Sequence, residues 1–338
     1  MHTLNNPRII KTIVKATALA AAAALTLTTA ACGLPSASIA NQQSSGSAVK
    51  LRIGAQPYPL YSDVYVAKEE GYLNQELAKE KATASWDSFK SGPLVNEAVA
   101  GGNEDAGFMA DLPAIIAKST GQKISIVSNL AYGEKALAVL VPKNSTIHSV
   151  ADLKGKKVGY AVGSYAEHLL ALLLDKQGLG LSDVQSVNLS ADDQVVALQS
   201  NSVDAIVIWE QYITKLKSEG AARVLADGTG IKRGNMVTYF TDDFASKHPA
   251  VVRAYIRAVQ RGADLIASDP DKAANAVAKD FGVSPAELKE IWKNLTFTTK
   301  LGPADTKAIT DVKDFAYKNG ILKSDVNIGD LINTSYLQ

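Results

Sequence analysis

DLKGKKVGYAVGSYAEHLL, residues Asp152–Leu170, is the stretch from which the architecture of this 338-residue chain can be read. It predicts a basic turn, a strand, a tight glycine turn and the opening of a helix. Val158, Tyr160 and Val162 have strand character, and Gly163 admits a sharp turn at little steric cost. Ser164 is placed to cap the helix, with Glu167 three residues on at the capping-box spacing. A strand that runs straight into a helix leaves backbone N–H groups unpaired at the positive end of the helix dipole. Such an end suits a small anion or polar ligand. The same text also fits an ordinary αβ unit with a well-capped helix.

The sequence on either side repeats this alternation. Strands are predicted at Val49–Ala55, Ala82–Phe89, Glu104–Met109, Gln122–Leu130 and Ala136–Val141. Between them lie a helix over Asp63–Glu70 and two more, opened by Ser91-Gly92-Pro93 and by Asp111-Leu112-Pro113, with proline in the favoured first turn. Beyond Leu170 the pattern continues with strands at Val184–Leu189, Val203–Trp209, Ala222–Ala226 and Met236–Thr241. Val203–Trp209 is apolar and β-branched, as befits a strand buried on both faces. Asp242 to about Leu337 is nearly all helical in pattern, with a long amphipathic segment at Pro249–Ser268. This alternation implies a mostly parallel α/β sheet.

Composition narrows the function classes. The chain is 46% hydrophobic and 20% charged, with net charge +1. Arg8, Lys11 and Lys15 sit in the first 31 residues without an acid; leaving them out gives 32 basic against 34 acidic groups, a net charge of −2. That balance argues against nucleic acid as a partner. Ala16–Ala31 is an uncharged run of Ala, Leu and Thr, shorter than a comfortable membrane span and ending in small residues, which reads as a signal peptide. Residues 33–48 are small and polar, as in a flexible tether. The single cysteine, Cys32, excludes an intrachain disulfide.

Five passages together resemble the solute-binding proteins of ABC importers for sulfonates, taurine and nitrate. They are IGAQPYP and AKEEGYL, WDSFKSGPLVNEAVAGGNEDAGF, DLPAIIAKSTGQKISIV, DLKGKKVGYAVGS and VDAIVIWEQY, in the family's order across most of residues 50–300. The resemblance implies a type II periplasmic-binding-protein fold, in which two α/β lobes are joined by two crossovers and a ligand binds in the cleft between them. Residues 49–142 are then the first part of lobe 1, 143–236 lobe 2, and 237–338 a mostly helical return to lobe 1. The crossovers are expected near Ala138–Lys143 and Met236–Thr241. Thr29-Ala30-Ala31-Cys32 resembles a bacterial lipobox, with Thr29 where Leu is usual. It implies a signal peptide over 1–31 and a lipid-anchored linker over 32–48. The protein would then be a monomer held at the outer face of the cell membrane, passing a small solute to a permease driven by an ATPase.

The expected ligand contacts are Gln56, Tyr58, Ser91, Asp111, Gly163, Ser164, Tyr165, Trp209 and Glu210, with Tyr61 a weaker candidate. Helix N-termini at Ser91-Gly92, Asp111 and Ser164 would converge on an anionic head group, since open α/β sheets bind ligands at the carboxyl ends of their strands. Tyr165 departs from the family's Gly-Ser-Ser turn. Asp63, Asp111, Glu167 and Glu210 are expected around the cleft, and carboxylates repel a bare anion. They suit a zwitterion such as an amino-sulfonate, or a neutral or cationic heterocycle. The resemblance implies a small sulfonate-like or taurine-like solute as the ligand, and the same family includes binders of thiamine-precursor pyrimidines.

No cofactor or metal is expected. No His stands at metal-ligand spacing from Cys or Glu, and there is no Gly-x-Ser-x-Gly elbow. Ser164 and His168 share a helix face but lack an orienting acid and an oxyanion hole. The chain therefore reads as a binding protein, the alternative being an extracytoplasmic enzyme, or a binder, for a heterocyclic or aromatic compound on the same fold.

Overall fold

The computed structural model describes residues 48–337. The expected signal peptide, the lipidation site Cys32 and nearly all of the linker lie outside the described residues. Among the described residues no helix is long and apolar enough to cross a membrane.

The first run of elements is β1 (Val49–Ala55), α1 (Ser62–Glu69), α2 (Tyr72–Lys79), β2 (Ala82–Ser88), α3 (Gly92–Ala100), β3 (Ala106–Ala110), α4 (Asp111–Ser119) and β4 (Ile124–Tyr132). The second is β5 (Leu137–Pro142), β6 (Lys157–Tyr160), α5 (Tyr165–Asp175), β7 (Gln185–Asn188), α6 (Ala191–Gln199), β8 (Ala205–Trp209), α7 (Tyr212–Ser218) and β9 (Ala222–Asp227). The return comprises β10 (Asn235–Thr241), α8 (Asp242–Lys247), α9 (Pro249–Ser268), α10 (Pro270–Phe281), α11 (Pro285–Trp292), β11 (Thr296–Phe297), α12 (Pro303–Lys318) and α13 (Ile328–Leu331).

Two sheets result, ordered β11-β4-β10-β3-β1-β2 and β7-β6-β8-β5-β9. Each has a parallel trio, β2-β1-β3 and β7-β6-β8, followed by the strand that comes directly after a crossover, laid in antiparallel. The two lobes thus share one topology. In the larger sheet both faces are buried, as the alternation along β3 shows: Ala106, Phe108 and Ala110 face one core and Met109 the other. Val237 and Tyr239 of β10 likewise oppose Met236 and Phe240. Helix α9 buries Val252, Tyr255, Ile256, Val259, Ala263 and Ile266, the spacing of a single helical stripe, and packs on α1 and α2, with Tyr255 edge-on to Phe240 of β10.

Three details differ from the sequence-based expectation. The sheets are mixed and not mostly parallel: β4, β10 and β11 in the larger sheet and β5 and β9 in the smaller join through antiparallel pairs. Helix α2 was not anticipated: Gly71 ends α1 in the left-handed conformation at φ 73° and at once becomes the N-cap of α2, so one glycine serves as both stop and start. The lobe boundary also moves. Leu137–Pro142 pairs with β8 and β9, so the chain enters the smaller sheet before position 137, not at 143. It leaves after Asp227, because Asn235–Thr241 already pairs with β3 and β4. A boundary at 143 and 236 would cut β5 from its own sheet, so the crossovers are residues 133–136 and 228–234.

These crossovers run side by side and are bonded to each other. Gly133 N donates to Arg233 O at 3.1 Å, and Gly228 N to Glu134 O at 2.9 Å. A side chain at Gly133 has nowhere to go, since a Cβ there would lie 2.1 Å from the backbone oxygen of Asn294. Gly133→Ala should therefore force the crossover away from that carbonyl. We expect a loss of roughly 2–3 kcal/mol, read as a melting temperature lowered by roughly 5–10 °C; an unchanged melting temperature would mean that the junction yields freely.

Candidate ligand-binding cleft

A small cavity lies between the lobes, lined by Gln56, Tyr58, Leu60, Tyr61, Ser91, Gly92, Ala110, Pro113, Ser164, Tyr165 and Trp209. Strand ends and helix starts build it. β1 leads into Gln56 and Tyr58, the segment after β2 into Ser91 and α3, β3 into Ala110 and α4, β6 into Ser164 and α5, and β8 ends on Trp209. Three helix N-termini therefore meet at one cavity, two from lobe 1 and one from lobe 2.

Six of the nine expected contacts line this cavity: Gln56, Tyr58, Ser91, Ser164, Tyr165 and Trp209. Gly163 stands at its lip, in the left-handed region at φ 75°, and a Cβ there would lie 3.4 Å from Pro93 Cγ of the opposite lobe. A bulkier residue at this turn would be strained and would press on the facing helix. Tyr61, the weaker candidate, also lines it, and Leu60, Gly92, Ala110 and Pro113, which were not among the expected contacts, complete the wall. Gly92 and Pro113 adjoin the helix starts read from sequence, whereas nothing local marks Leu60.

Asp111 and Glu210 are buried but lie off the cavity. Both Asp111 oxygens are 2.8 Å from the Lys232 ammonium, and Oδ1 also accepts from Leu112 N. Glu210 accepts from Thr214 N and Oγ1 on one oxygen and from Asn294 Nδ2, at 2.9 Å, on the other. It joins lobe 2 to the segment after α11 and does not line the cavity. Glu167 is also diverted. Its Oε2 accepts from Gly163 N at 2.8 Å, one residue earlier than the expected capping box, and Ser164 takes the N–H of Ala166 alone. Asp63 is fully buried with its Oδ1 on Val64 N. Burial raises the carboxyls of Asp63, Glu167 and Glu210, and hydrogen bonds to each act in the opposite direction. The expected ring of carboxylates around the ligand is therefore absent from the lining. Sequence separation could not reveal that each acid is turned to another partner.

The lining presents hydrogen-bond donors and apolar surface, with no charged side chain. Tyr165 Oη and Trp209 Nε1 are buried and have no partner among the described residues. An indole N–H only donates, and a buried polar group without a partner costs about 1–3 kcal/mol. Ser91 makes no side-chain cap to α3, and Pro93 carries no N–H, so Gly92 N is the uncapped first-turn donor of that helix at the cavity. Ser164 Oγ donates to Ala161 O at 2.6 Å, which commits its only proton. On the other wall Tyr58 packs edge-on to Trp209 at 5.6 Å and to Tyr212 at 6.3 Å, and Tyr165 lies 6.0 Å from Trp209. The two Tyr58 contacts cross between the lobes, as does the Lys90–Asp192 ion pair at 3.1 Å at the exposed rim, whereas Tyr165 and Trp209 both belong to lobe 2.

Burial pushes Tyr58 up to about 12, with Asp192 adding to the effect, and drives Tyr165 well above the ordinary tyrosine value. Tyr165 therefore stays a neutral donor at physiological pH. The arrangement can bind a small oxyanion through neutral dipoles and pack an apolar tail on aromatic rings. Among the described residues no group of three or more His, Cys, Asp and Glu side chains could hold a metal ion.

A family model described as "NMT1/THI5 like" matches residues 59–273. The "Putative aliphatic sulfonates-binding protein" of Escherichia coli (strain K12) is 30% identical over 299 residues, covering 88% of this chain and 92% of that protein. Among solved structures, the alkanesulfonate-binding protein SsuA from Xanthomonas axonopodis pv. citri, bound to MOPS, aligns with a TM-score of 0.76 at 27% identity, over 84% of this chain and 98% of that one. The periplasmic aliphatic sulphonate binding protein SsuA from Escherichia coli aligns with a TM-score of 0.74 at 28% identity, over 86% and 99%.

The raised tyrosines give a direct check. At about pH 11, one unit above the ordinary tyrosine value, ultraviolet titration of the native protein should ionise clearly fewer tyrosines than in urea. Equal ionisation in the two states would show that water reaches the cleft donors.

Proposed function

The chain belongs to the NMT1/THI5-like family, and within it we propose that this protein is the extracytoplasmic solute-binding component of an ABC importer, capturing a small alkanesulfonate between its lobes and delivering it to the permease. The observation that carries the reading is the pairing of two unpartnered buried donors, Tyr165 Oη and Trp209 Nε1, with the uncapped start of α3 in a cleft free of charged side chains. A sulfonate is a tetrahedral oxyanion that stays ionised and carries no proton to donate. Acceptor-only oxygens match a site made of donors. The carbon chain has Leu60 and the Tyr58, Tyr61 and Trp209 rings to cover.

The same lining disfavours an ammonium on the solute. An amino-sulfonate or a protonated pyrimidine would bury its cation without a carboxylate partner, which is costly. An enzyme is equally poorly served. Ser164 Oγ is bonded to a backbone carbonyl, and His168 Nδ1 faces Lys232, so His168 does not activate the Ser164 hydroxyl. The lipobox resemblance of Thr29-Ala30-Ala31-Cys32 supports acylation at Cys32, with residues 33–48 as the tether of a monomer anchored at the extracytoplasmic face of the cell membrane. On that reading Cys32→Ser releases the protein from the membrane.

Thermal melting tests the ligand. Ethanesulfonate at a hundred times its dissociation constant should add about 2.7 kcal/mol, or roughly 5–10 °C. Taurine and inorganic sulfate should do less, the first for its ammonium and the second for lack of a tail. Trp209→Phe keeps the ring and removes the donor. A hydrogen bond to a charged group is worth about 1.5–3 kcal/mol, so affinity should fall about tenfold to a hundredfold. Glu167→Gln should leave affinity within about twofold, because its oxygen serves Gly163 N and not the solute. A melting shift with aminopyrimidines alone would refute the sulfonate reading.

A further inference from the structure

Lys232 lies on the second crossover with its side chain only 2% exposed. Its ammonium is 2.8 Å from both oxygens of Asp111 and 3.0 Å from His168 Nδ1. The three groups belong to three segments. Asp111 opens α4 in lobe 1, His168 lies in the first turns of α5 in lobe 2, and Lys232 stands between them on the chain about which the lobes turn. An ammonium has donors only, so Nδ1 must accept and the imidazole proton sits on Nε2. Nε2 is buried without a partner among the described residues, and the imidazole packs on the Phe315 ring of α12 with 5.2 Å between ring centroids.

A buried ion pair is a weak source of net stability, because desolvation cancels much of the attraction. Its geometric effect is larger. α4 offers Pro113 to the cleft and follows Ala110, and α5 offers Tyr165 and follows Ser164. Rotation of lobe 2 about the crossovers would carry His168 away from Asp111, breaking a junction in which every group is out of water. We propose that Lys232 is a positioning residue: by gripping Asp111 and His168 it holds the first turns of α4 and α5 at the spacing where both face one solute, and so biases the lobes toward closure. This rests on the solute-binding reading above.

Protonation of His168 would remove the acceptor at Nδ1 and set a second cation beside Lys232. Burial, and then Lys232, hold this imidazole well below its ordinary value, so it is neutral at physiological pH. The other titratable groups around the adjoining cavity are Asp111, Glu134, Arg233 and Asp311. Of these, Arg233 pairs with Asp305 and Asp311 with Lys307.

Three measurements test the proposal. Asp111→Leu/Lys232→Met removes both charges together, leaving no unpaired ion. Small-angle X-ray scattering of the unliganded proteins should give the double variant the larger radius of gyration, and ethanesulfonate affinity should fall at least about tenfold. Superimposable scattering curves would overturn the proposal whatever the affinities. In the wild type, affinity should hold through the ordinary histidine range and decline only well below it, while the protein remains folded. His168→Gln, whose amide oxygen can accept from Lys232 at any pH, should show no such decline; equal acid sensitivity of the two would also overturn it. If the wild type binds no alkanesulfonate, the solute reading fails and scattering alone decides the role of Lys232. If the double variant does not fold, the pH profile of His168→Gln decides it.

Discussion

The two crossovers are the constraint on which the rest depends. Each lobe has its own sheet, and the chain passes between them twice through short segments bonded to one another at Gly133–Arg233 and Gly228–Glu134. Two adjacent covalent links allow the lobes to rotate about a common line and restrict other relative motion. The strand after each crossover, β5 or β10, is laid antiparallel into the sheet it enters. This anchors the links in the middle of both sheets, so a small rotation there opens or closes the cleft.

The chemistry of the cleft follows from what faces it. Strand ends deliver helix N-termini to the gap, and the side chains lining it are neutral polar groups, aromatic rings and aliphatic surface. Neutral dipoles can hold an oxyanion without a fixed counter-charge, because the bonds are charge-assisted from the ligand side. The nearby acids are each turned elsewhere: Asp111 to Lys232, Glu210 to Thr214 and Asn294, Glu167 to Gly163 N. Two of these contacts help to join the lobes. Asp111 meets the crossover beside His168 of lobe 2, and Asn294 of lobe 1 donates to Glu210 of lobe 2.

Much of the architecture was legible because it rests on local chemistry. Pro249–Ser268 forms a helix with those same limits, since Pro249 suits the first turn and the apolar stripe runs unbroken to Ile266. Ser91-Gly92-Pro93 and Asp111-Leu112-Pro113 each open a helix, and β8 is as buried as its Ala-Ile-Val-Ile-Trp text suggested. Helix α2 escaped notice because Gly71 reads locally as an end, and only packing on α9 and β2 makes the next eight residues a helix. The crossovers were misplaced by several residues because a β-branched run such as Leu137–Pro142 does not say which sheet it will join.

The sequence by itself determined the alternation of strands and helices, the order of the family motifs and the helix starts at which a ligand could sit. These depend on residues within a few positions of each other, whose propensities and caps act over a single turn. Only the tertiary structure decided which polar side chains face the cleft. Asp111 and Lys232 are 121 positions apart, and Glu210 and Asn294 are 84 apart. No local pattern encodes that an acid will be neutralised by a partner so distant. Hydrogen bonding and ion pairing are short-ranged in space and indifferent to separation along the chain, so the charge of the cleft emerges only once both lobes are folded.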